Sequence, residues 1–303
     1  MKKTVNNRRS FIQFGLTSGA LMLAGATAFF QKIKTTSAST EKVKVLTTDG
    51  KVMEVDKAHV NEPCHPVSRT LARQGIKGKK FVMVVDLSRC RNARKCISSC
   101  EKAHNIPHDR PFIKVLRMQD NEESSPYWMP KKCFHCDNPP CVKVCPVGAT
   151  YKRSDGIVLV DNERCIGCRF CMSACPYSAR VFNWGEPEKP ENYNCAYSPE
   201  TSTPSKIGTV EKCDFCPDMI RENKLPHCIT SCPNGVLYFG DKLSDSVTNG
   251  DETVRLSEML RDKGGYRYLE ELGTEPNVYY LPPVNRLFPF KEMDENDVSQ
   301  SEI

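Results

Sequence analysis

Eight cysteines lie within 43 residues, between Cys133 and Cys175, and they limit what this chain can fold into. The second half of the stretch reads CIGCRFCMSACP, which spaces its cysteines C-x2-C-x2-C-x3-C-P. This spacing is typical of the ligands of [4Fe–4S] clusters. The first half, CFHCDNPPCVKVCP, has the same pattern with two residues added before its third cysteine. Each run ends in Cys-Pro, and because proline lacks a backbone N–H and fixes φ, the chain leaves each site in an extended direction.

The spacing also predicts which cysteines share a cluster. The first three thiolates of a run reach three irons of one cluster, and the fourth cysteine binds a neighbouring cluster. Two tandem runs therefore exchange their last cysteines. Group 1 is predicted to contain Cys165, Cys168, Cys171 and Cys145, and group 2 to contain Cys133, Cys136, Cys141 and Cys175. Zinc is the alternative, since pairs of C-x2-C build four-cysteine zinc sites, but it does not account for three-cysteine runs that end in Cys-Pro.

Two further cysteine runs flank this stretch, CRNARKCISSC before it and KCDFC with CITSCP after it. By the same exchange, group 3 is predicted to contain Cys213, Cys216, Cys228 and Cys100, and group 4 to contain Cys90, Cys96 and Cys232. Ala93 stands where the second cysteine of group 4 is expected. Three thiolates favour a [3Fe–4S] cluster in group 4. The alternatives are a missing cluster or a [4Fe–4S] cluster with a substitute ligand from among Cys64, His65, Cys195, Asn92 and water.

Composition supports an inorganic rather than a purely apolar core. The 303 residues include 17 Cys and 21 Pro, and only 39% are hydrophobic. Disulfides are the rival explanation, but neighbours as close as C-x2-C rarely pair as structural disulfides. The net charge of +6 arises within residues 1–38, which hold six basic residues and no acidic one. The remainder has 37 basic and 37 acidic residues, so charge gives no support to nucleic-acid binding.

Residues 1–38 are predicted to be an export signal. Asn7-Arg8-Arg9-Ser10-Phe11-Ile12 is close to the twin-arginine consensus, and an apolar run from Phe14 to Phe30 follows it. A membrane anchor is the alternative, although 17 residues are short for a spanning helix. Twin-arginine export moves folded proteins, so it suits a chain that acquires its cofactors before export. We therefore expect a periplasmic protein, peripheral on the outer face of the cytoplasmic membrane and not itself membrane-spanning once the signal is removed.

The order of the runs predicts an α+β fold with short antiparallel strands, in which one two-cluster module is inserted in another. The strands are expected at 42–56 as a pair, at 81–86, at 150–160 as a hairpin and at 236–241, with a helix within 251–263. The predicted ranges are 41–80 for an N-terminal extension, 81–130 with 209–242 for the outer module, 131–184 for the central module, 185–208 for an exposed insertion, and 243–303 for a helix and an extended C-terminal arm.

The layout resembles the four-cluster iron–sulfur subunit of the DMSO reductase family of complex iron–sulfur molybdoenzymes. The resemblance covers about residues 80–290 and rests on HCDNPPCVKVCP, DGIVLVDNERCIGCRFCMSACP, KCDFC with CITSCP, and LGTEPNVYYLPP. Membership implies two ferredoxin-like modules holding three [4Fe–4S] clusters and a fourth, here altered at Ala93. It also implies a non-catalytic role in anaerobic respiration. Electrons would pass between a multi-span membrane subunit that reacts with quinol or quinone and a periplasmic catalytic subunit carrying molybdopterin or haem. A chain with its own twin-arginine signal resembles the polysulfide, tetrathionate and nitrite reductase branches.

A stand-alone iron–sulfur sensor or enzyme that uses the incomplete group 4 is the alternative function. The residues around Ala93 argue against it, since Arg91, Asn92, Arg94 and Lys95 offer no acid–base group. The basic residues are expected to form a solvated face or, more specifically, a docking surface. Among the histidines, His135 and His227 adjoin cluster cysteines and are expected to hydrogen-bond or shield a cluster, whereas His104 and His108 are expected on a loop surface because Pro107 separates them.

Overall fold

A computed structural model describes residues 42–46, 52–56, 62–63, 67–185 and 195–284. By its internal contacts the chain divides into two units, residues 1–60 and residues 61–303. In the first unit, strand β1 (Lys42–Leu46) pairs antiparallel with β2 (Val52–Asp56), which confirms the predicted strand pair. The predicted export signal, 1–38, and the Cys64–His65 pair lie outside the described residues.

The second unit mixes short helices and short strands, which confirms the α+β content. The helices are α1 (Arg69–Gln74), α2 (Lys95–His104), α3 (Pro140–Lys143), α4 (Phe170–Ser173), α5 (Pro217–Arg221), α6 (His227–Thr230) and α7 (Leu256–Asp262). The strands are β3 (Glu62–Pro63), β4 (Phe81–Asp86), β5 (Lys114–Met118), β6 (Tyr127–Lys131), β7 (Thr150–Lys152), β8 (Val158–Val160), β9 (Val181–Phe182), β10 (Cys195–Ala196), β11 (Val210–Glu211), β12 (Leu237–Asp241), β13 (Ser246–Thr248), β14 (Thr253–Arg255), β15 (Tyr266–Arg267) and β16 (Val278–Leu281).

A six-stranded sheet in the order β14-β13-β12-β4-β16-β15 forms the frame of this unit. Strand β4 lies at its centre, antiparallel to β12 and parallel to β16, and all six of its residues are buried. Met83 and Val85 face the main core, whereas Val82 and Val84 face a second core with Leu256 of α7. Because both faces of the sheet are covered, the strand is apolar throughout rather than alternating.

The remaining strands form two-stranded pairs around the cysteines. Strands β7 and β8 form the hairpin predicted at 150–160, with Tyr151 opposite Leu159. Strand β5 pairs with β6, β9 with β11, and β3 with β10. Helices α2, α3, α4 and α6 are short, and each carries at least one cysteine of a run. Thus the cysteines sit on tight loops and single helical turns that the paired strands hold in place.

Two sequence-based predictions were wrong in this unit. Residues 278–281, predicted to belong to an extended arm, form β16, in which all four residues are buried. The strand is drawn in because β4 offers it a backbone edge and Tyr280 reaches the aromatic core. The segment 185–208, predicted to be an exposed insertion, contains buried Ser198 and Glu200. Glu200 is buried because Arg153 and Arg221 pair with it.

No helix in the described part of the chain combines the length and the apolar character needed to cross a membrane.

Candidate iron–sulfur centre

Fifteen of the 17 cysteines have described side chains, and all fifteen are free thiols. They include every cysteine of groups 1 to 4. Cys168 is the exposed one among them, and the other fourteen are buried or half-buried. Free, mostly buried cysteines at these spacings do not fit the disulfide alternative; they fit thiolate ligands of an inorganic cofactor.

The four cysteines of group 2 surround one cavity. Cys133, Cys136, Cys141 and Cys175 line an empty space of about 350 Å³, together with apolar residues that include Phe134 and Tyr177. Burial and the charges of the other three cysteines raise the pKa of Cys136 to about 12. Four thiols that converge in this way would all be neutral without a metal, so the cavity requires a positively charged centre to hold them as thiolates.

Group 1 lies beside group 2 and closer to solvent. Burial raises the pKa of Cys171, and the charges of Cys141 of group 2 and of Cys165 and Cys145 of group 1 add to the effect. The loop before α4 depends on Gly167, whose φ is +71° and whose Cα packs against the carbonyl of Gly208. A side chain at this position would collide with that carbonyl, which explains the glycine between the first two cysteines of the run.

Group 3 is the most deeply buried. Burial, followed by the charges of Asp214, Cys228, Cys213 and Cys100, raises the pKa of Cys216 well above its usual value. Burial and the charges of Cys213 and Cys228 raise the pKa of the Cys100 thiol in the same direction. The structure therefore brings Cys100 of α2 to the three cysteines of the distant run at 213–228, as the exchange of last cysteines requires.

Group 4 brings together the three predicted cysteines and Ala93. Cys90, Cys96 and Cys232 line an empty space of about 350 Å³, and Ala93 lines the same cavity. The space equals that of the complete group 2, so a missing ligand has not closed the site. Of the substitute ligands considered, Asn92 lines the cavity, and its Oδ1 accepts a hydrogen bond from Arg94 Nε at 3.3 Å. Cys195 lies on β10, which pairs with β3.

The cysteine groups are too open for zinc. Two thiolates bound to one zinc ion lie about 3.8 Å apart, given Zn–S bonds of about 2.3 Å and tetrahedral geometry. Among the described residues, the only three candidate ligand atoms within 4.8 Å of one another belong to His104, Asp214 and Cys216. Sulfurs that converge on a wide cavity fit a cluster of several irons.

Backbone amides also support thiolates at these positions. The N–H of Thr150 donates to Cys145 Sγ at 3.4 Å, and the N–H of Val236 donates to Cys232 Sγ at 3.4 Å. These two cysteines are the last of their runs, each followed by proline. The chain turns back after the proline and directs an amide at the sulfur, which stabilises its negative charge.

The groups form a line through the protein. Cys141 of group 2 acts electrostatically on Cys171 of group 1, Cys133 of group 2 acts on Cys213 of group 3, and Cys228 of group 3 acts on Cys96 of group 4. The order is therefore group 1, group 2, group 3, group 4. Exposed Cys168 lies at one end, and exposed Ala93 lies at the other.

His104 is a residue whose role the sequence did not reveal. Its placement on a loop surface was wrong, because it is the last residue of α2 and is 7% exposed. Its Nε2 lies 3.4 Å from Cys216 Sγ, within hydrogen-bond distance, and its Nδ1 lies 3.8 Å from Asp214 Oδ2. His108 is exposed, as predicted. The ending of α2 after His104, rather than at Pro107, is what turns one histidine inward.

His135 is buried beside the cysteines but does not face them as a donor. Its Nδ1 accepts a hydrogen bond from the Val158 N–H at 3.0 Å, and its ring stacks on Phe215 with centroids 3.7 Å apart. Burial, followed by the charges of Lys212 and Lys132, lowers the pKa of His135 well below its usual value. The imidazole is therefore neutral and shields the region between the runs at 133 and 213.

Comparison with known proteins defines the class to which this site belongs. The model of the 4Fe–4S dicluster domain matches residues 125–197 and 188–242. An iron–sulfur-type relative, a subunit of selenate reductase from Mesobacillus selenatarsenatis, is 36% identical over 300 residues, which cover 92% of this chain and 99% of that protein. The iron–sulfur cluster-binding subunit of menaquinone reductase from Nitratidesulfovibrio vulgaris is 36% identical over 233 residues, 67% of this chain and 88% of that protein. A subunit of tetrathionate reductase from Salmonella typhimurium is 36% identical over 214 residues, 69% of this chain and 74% of that protein.

The chain is thus a 4Fe–4S dicluster protein with mixed helix and strand content. It belongs to the iron–sulfur subunits of the DMSO reductase family. Its role is that of an electron-transfer subunit of an oxidoreductase complex rather than of a catalytic subunit.

Proposed function

We propose that this chain relays single electrons between a membrane subunit that reacts with quinol or quinone and a periplasmic catalytic subunit, which carries molybdopterin or haem. The observation that carries the proposal is the line of four cysteine groups from exposed Cys168 to exposed Ala93. When bound, iron–sulfur clusters supply one-electron redox chemistry. The residues of the line would hold the clusters, bury them from water and bring both ends of the relay to the surface.

The proposed cofactors are three [4Fe–4S] clusters in groups 1, 2 and 3 and a [3Fe–4S] cluster in group 4. The cavity at Ala93 supports a cluster there, because it is as large as that of group 2. Its lining includes three cysteines and Asn92, whose amide oxygen is already engaged by Arg94. The described residues that line this cavity include no carboxylate or histidine, so no acid–base group faces it. This lining favours electron transfer over catalysis at the incomplete group.

The two ends of the line offer different surfaces to partner subunits. Around Cys168, the exposed fractions of Ile166, Phe170 and Trp184 are 64%, 61% and 68%, so large apolar side chains meet solvent. Clustered exposed side chains of this kind mark protein–protein contacts. Around Ala93, the exposed residues Arg91, Arg94 and Lys95 are basic. We assign the apolar end to a stable subunit interface, and the basic end to a partner whose facing surface is acidic.

Export by the twin-arginine route and a periplasmic location, peripheral on the cytoplasmic membrane, are part of the same proposal. They rest on Arg8-Arg9 and the apolar run that follows. A Lys substitution at both arginines is expected to leave the protein in the cytoplasm, as measured by cell fractionation. Periplasmic accumulation of that variant would refute the route.

The test of the cofactor proposal is low-temperature EPR of the anaerobically purified protein, with iron counted per chain. We expect about fifteen irons and a signal in the oxidised state that vanishes on mild reduction, because a [3Fe–4S] cluster is paramagnetic when oxidised. About sixteen irons with a silent oxidised state would instead mean that a substitute ligand completes group 4. Zinc in place of iron would refute the relay. Co-purification of a large catalytic subunit and a membrane subunit tests the partners.

A further inference from the structure

Arg180 is a buried cation that points into the cluster site. It is 5% exposed and lines the group 2 cavity together with its four cysteines. Its Nη1 donates to Thr150 Oγ1 at 3.2 Å. Its Nη2 is buried and has no hydrogen-bond partner among the described residues. An unpartnered guanidinium nitrogen in a protein interior is costly, so its position beside the cavity indicates an acceptor that the cavity holds.

The charges around Arg180 come from cysteines of both central groups. Burial lowers the pKa of Arg180, but Cys141, Cys171 and Cys133 raise it by more, so the net shift is upward. Cys141 and Cys133 belong to group 2, and Cys171 belongs to group 1. The guanidinium therefore lies between the two groups of the central module, where it acts on both.

Lys132 occupies the corresponding place in the outer module. It is 2% exposed, and its Nζ lies 3.8 Å from Cys228 Sγ, to which it donates. Burial lowers its pKa, and Cys228, Cys213, Cys96 and Cys100 raise it by more. Cys96 belongs to group 4 and the other three belong to group 3. Lys132 therefore lies between the two groups of the outer module, although it precedes a cysteine of group 2 in the chain.

Other buried cations of the described chain are paired differently. Arg153 is fully buried between the carboxylates of Asp155 and Glu200. Lys212 donates to the carbonyls of Val158 and Cys213. Neither Arg180 nor Lys132 forms an ion pair with an Asp or Glu within the described ranges. Their counter-charge is the cluster site itself, because a buried cation needs a compensating anion.

We propose that Arg180 and Lys132 are positioning residues that raise the reduction potentials of the clusters in their own modules, Arg180 for groups 1 and 2 and Lys132 for groups 3 and 4. A fixed positive charge a few ångströms away stabilises the reduced cluster, which carries one more negative charge, over the oxidised one. Both residues stay charged throughout, so no titration is involved. The inference rests on the proposed clusters.

The test is an EPR-monitored redox titration of the anaerobic holoprotein, with the variants Arg180→Gln and Lys132→Gln. For the clusters of the affected module, we expect the ratio of reduced to oxidised cluster at the original midpoint to fall about tenfold, equivalent to about 59 mV for one electron. The signals that shift in one variant should be those that stay fixed in the other. The matched control is Arg169→Gln, an exposed cation near Cys168 that stacks over Trp184 at 5.1 Å. Because water screens its charge, its signals should shift less than about twofold.

The proposal is overturned if neither Gln variant moves a potential, if both move the same signals, or if Arg169→Gln moves them as far. Arg180→Lys and Lys132→Arg retain the charge and decide the matter where a Gln variant loses iron. Unchanged potentials in these two support an electrostatic role, and a tenfold fall contradicts it. The unmodified protein provides the separation from the cofactor proposal. Four reducible clusters in it with unmoved variants would refute the role of the cations alone.

Discussion

A cysteine introduced at position 93 tests how the incomplete group 4 is built. Ala93 is exposed, yet it lines the cavity with Cys90, Cys96 and Cys232. One added sulfur at an exposed position disturbs no core packing, so the free energy of unfolding should change by less than about 0.5 kcal/mol. The thiolate of Ala93→Cys would give the cavity a fourth ligand. Iron should therefore rise from about fifteen to about sixteen per chain, and the oxidised-state EPR signal should vanish.

The potential of this cluster should also fall in Ala93→Cys, because a fourth thiolate adds negative charge to the site. The control is Ala93→Val, which adds a similar volume without a ligand and should keep about fifteen irons and the oxidised signal. An Ala93→Cys protein that retains its signal and its original iron count would refute the assignment. It would mean that the side chain of residue 93 does not face the open corner of a cluster.

Three further substitutions test the surroundings of the clusters. His104→Phe removes the contact with Cys216 Sγ, so the potential of one cluster should fall, because a hydrogen bond to sulfur favours the reduced state; an unmoved redox titration would exclude that bond. Glu200→Gln leaves buried Arg153 with one carboxylate instead of two, and should destabilise the folded protein by about 3 kcal/mol; a thermal midpoint equal to the parent's would contradict the burial of this pair. Phe170→Asp places a charge on the exposed apolar face and should reduce co-purification of a partner while iron content and EPR spectra stay unchanged; full recovery of the complex would argue against an interface there.

Local spacing carried much of the cofactor prediction. The run CIGCRFCMSACP specifies its ligands because thiols two and three residues apart, closed by proline, can reach one cluster whatever surrounds them. The hairpin β7–β8 was also predictable, since its strands lie close in sequence around Asp155-Gly156. The apolar residues of β4 marked it as a buried strand. These features depend on neighbours along the chain, so the sequence by itself determined them.

The tertiary structure alone decided which distant residues meet. Cys133 lies near Cys213, and this contact sets the order of the four groups. His104 and Arg180 have no sequence signal of their own, and they turn inward only because α2 and the hairpin beside Thr150 bring them to the cysteines. Tyr280 left the predicted arm because β4 offered a backbone edge 190 or more positions earlier in the chain. Such pairings follow from burial and charge compensation between segments far apart in sequence, and no local pattern encodes them.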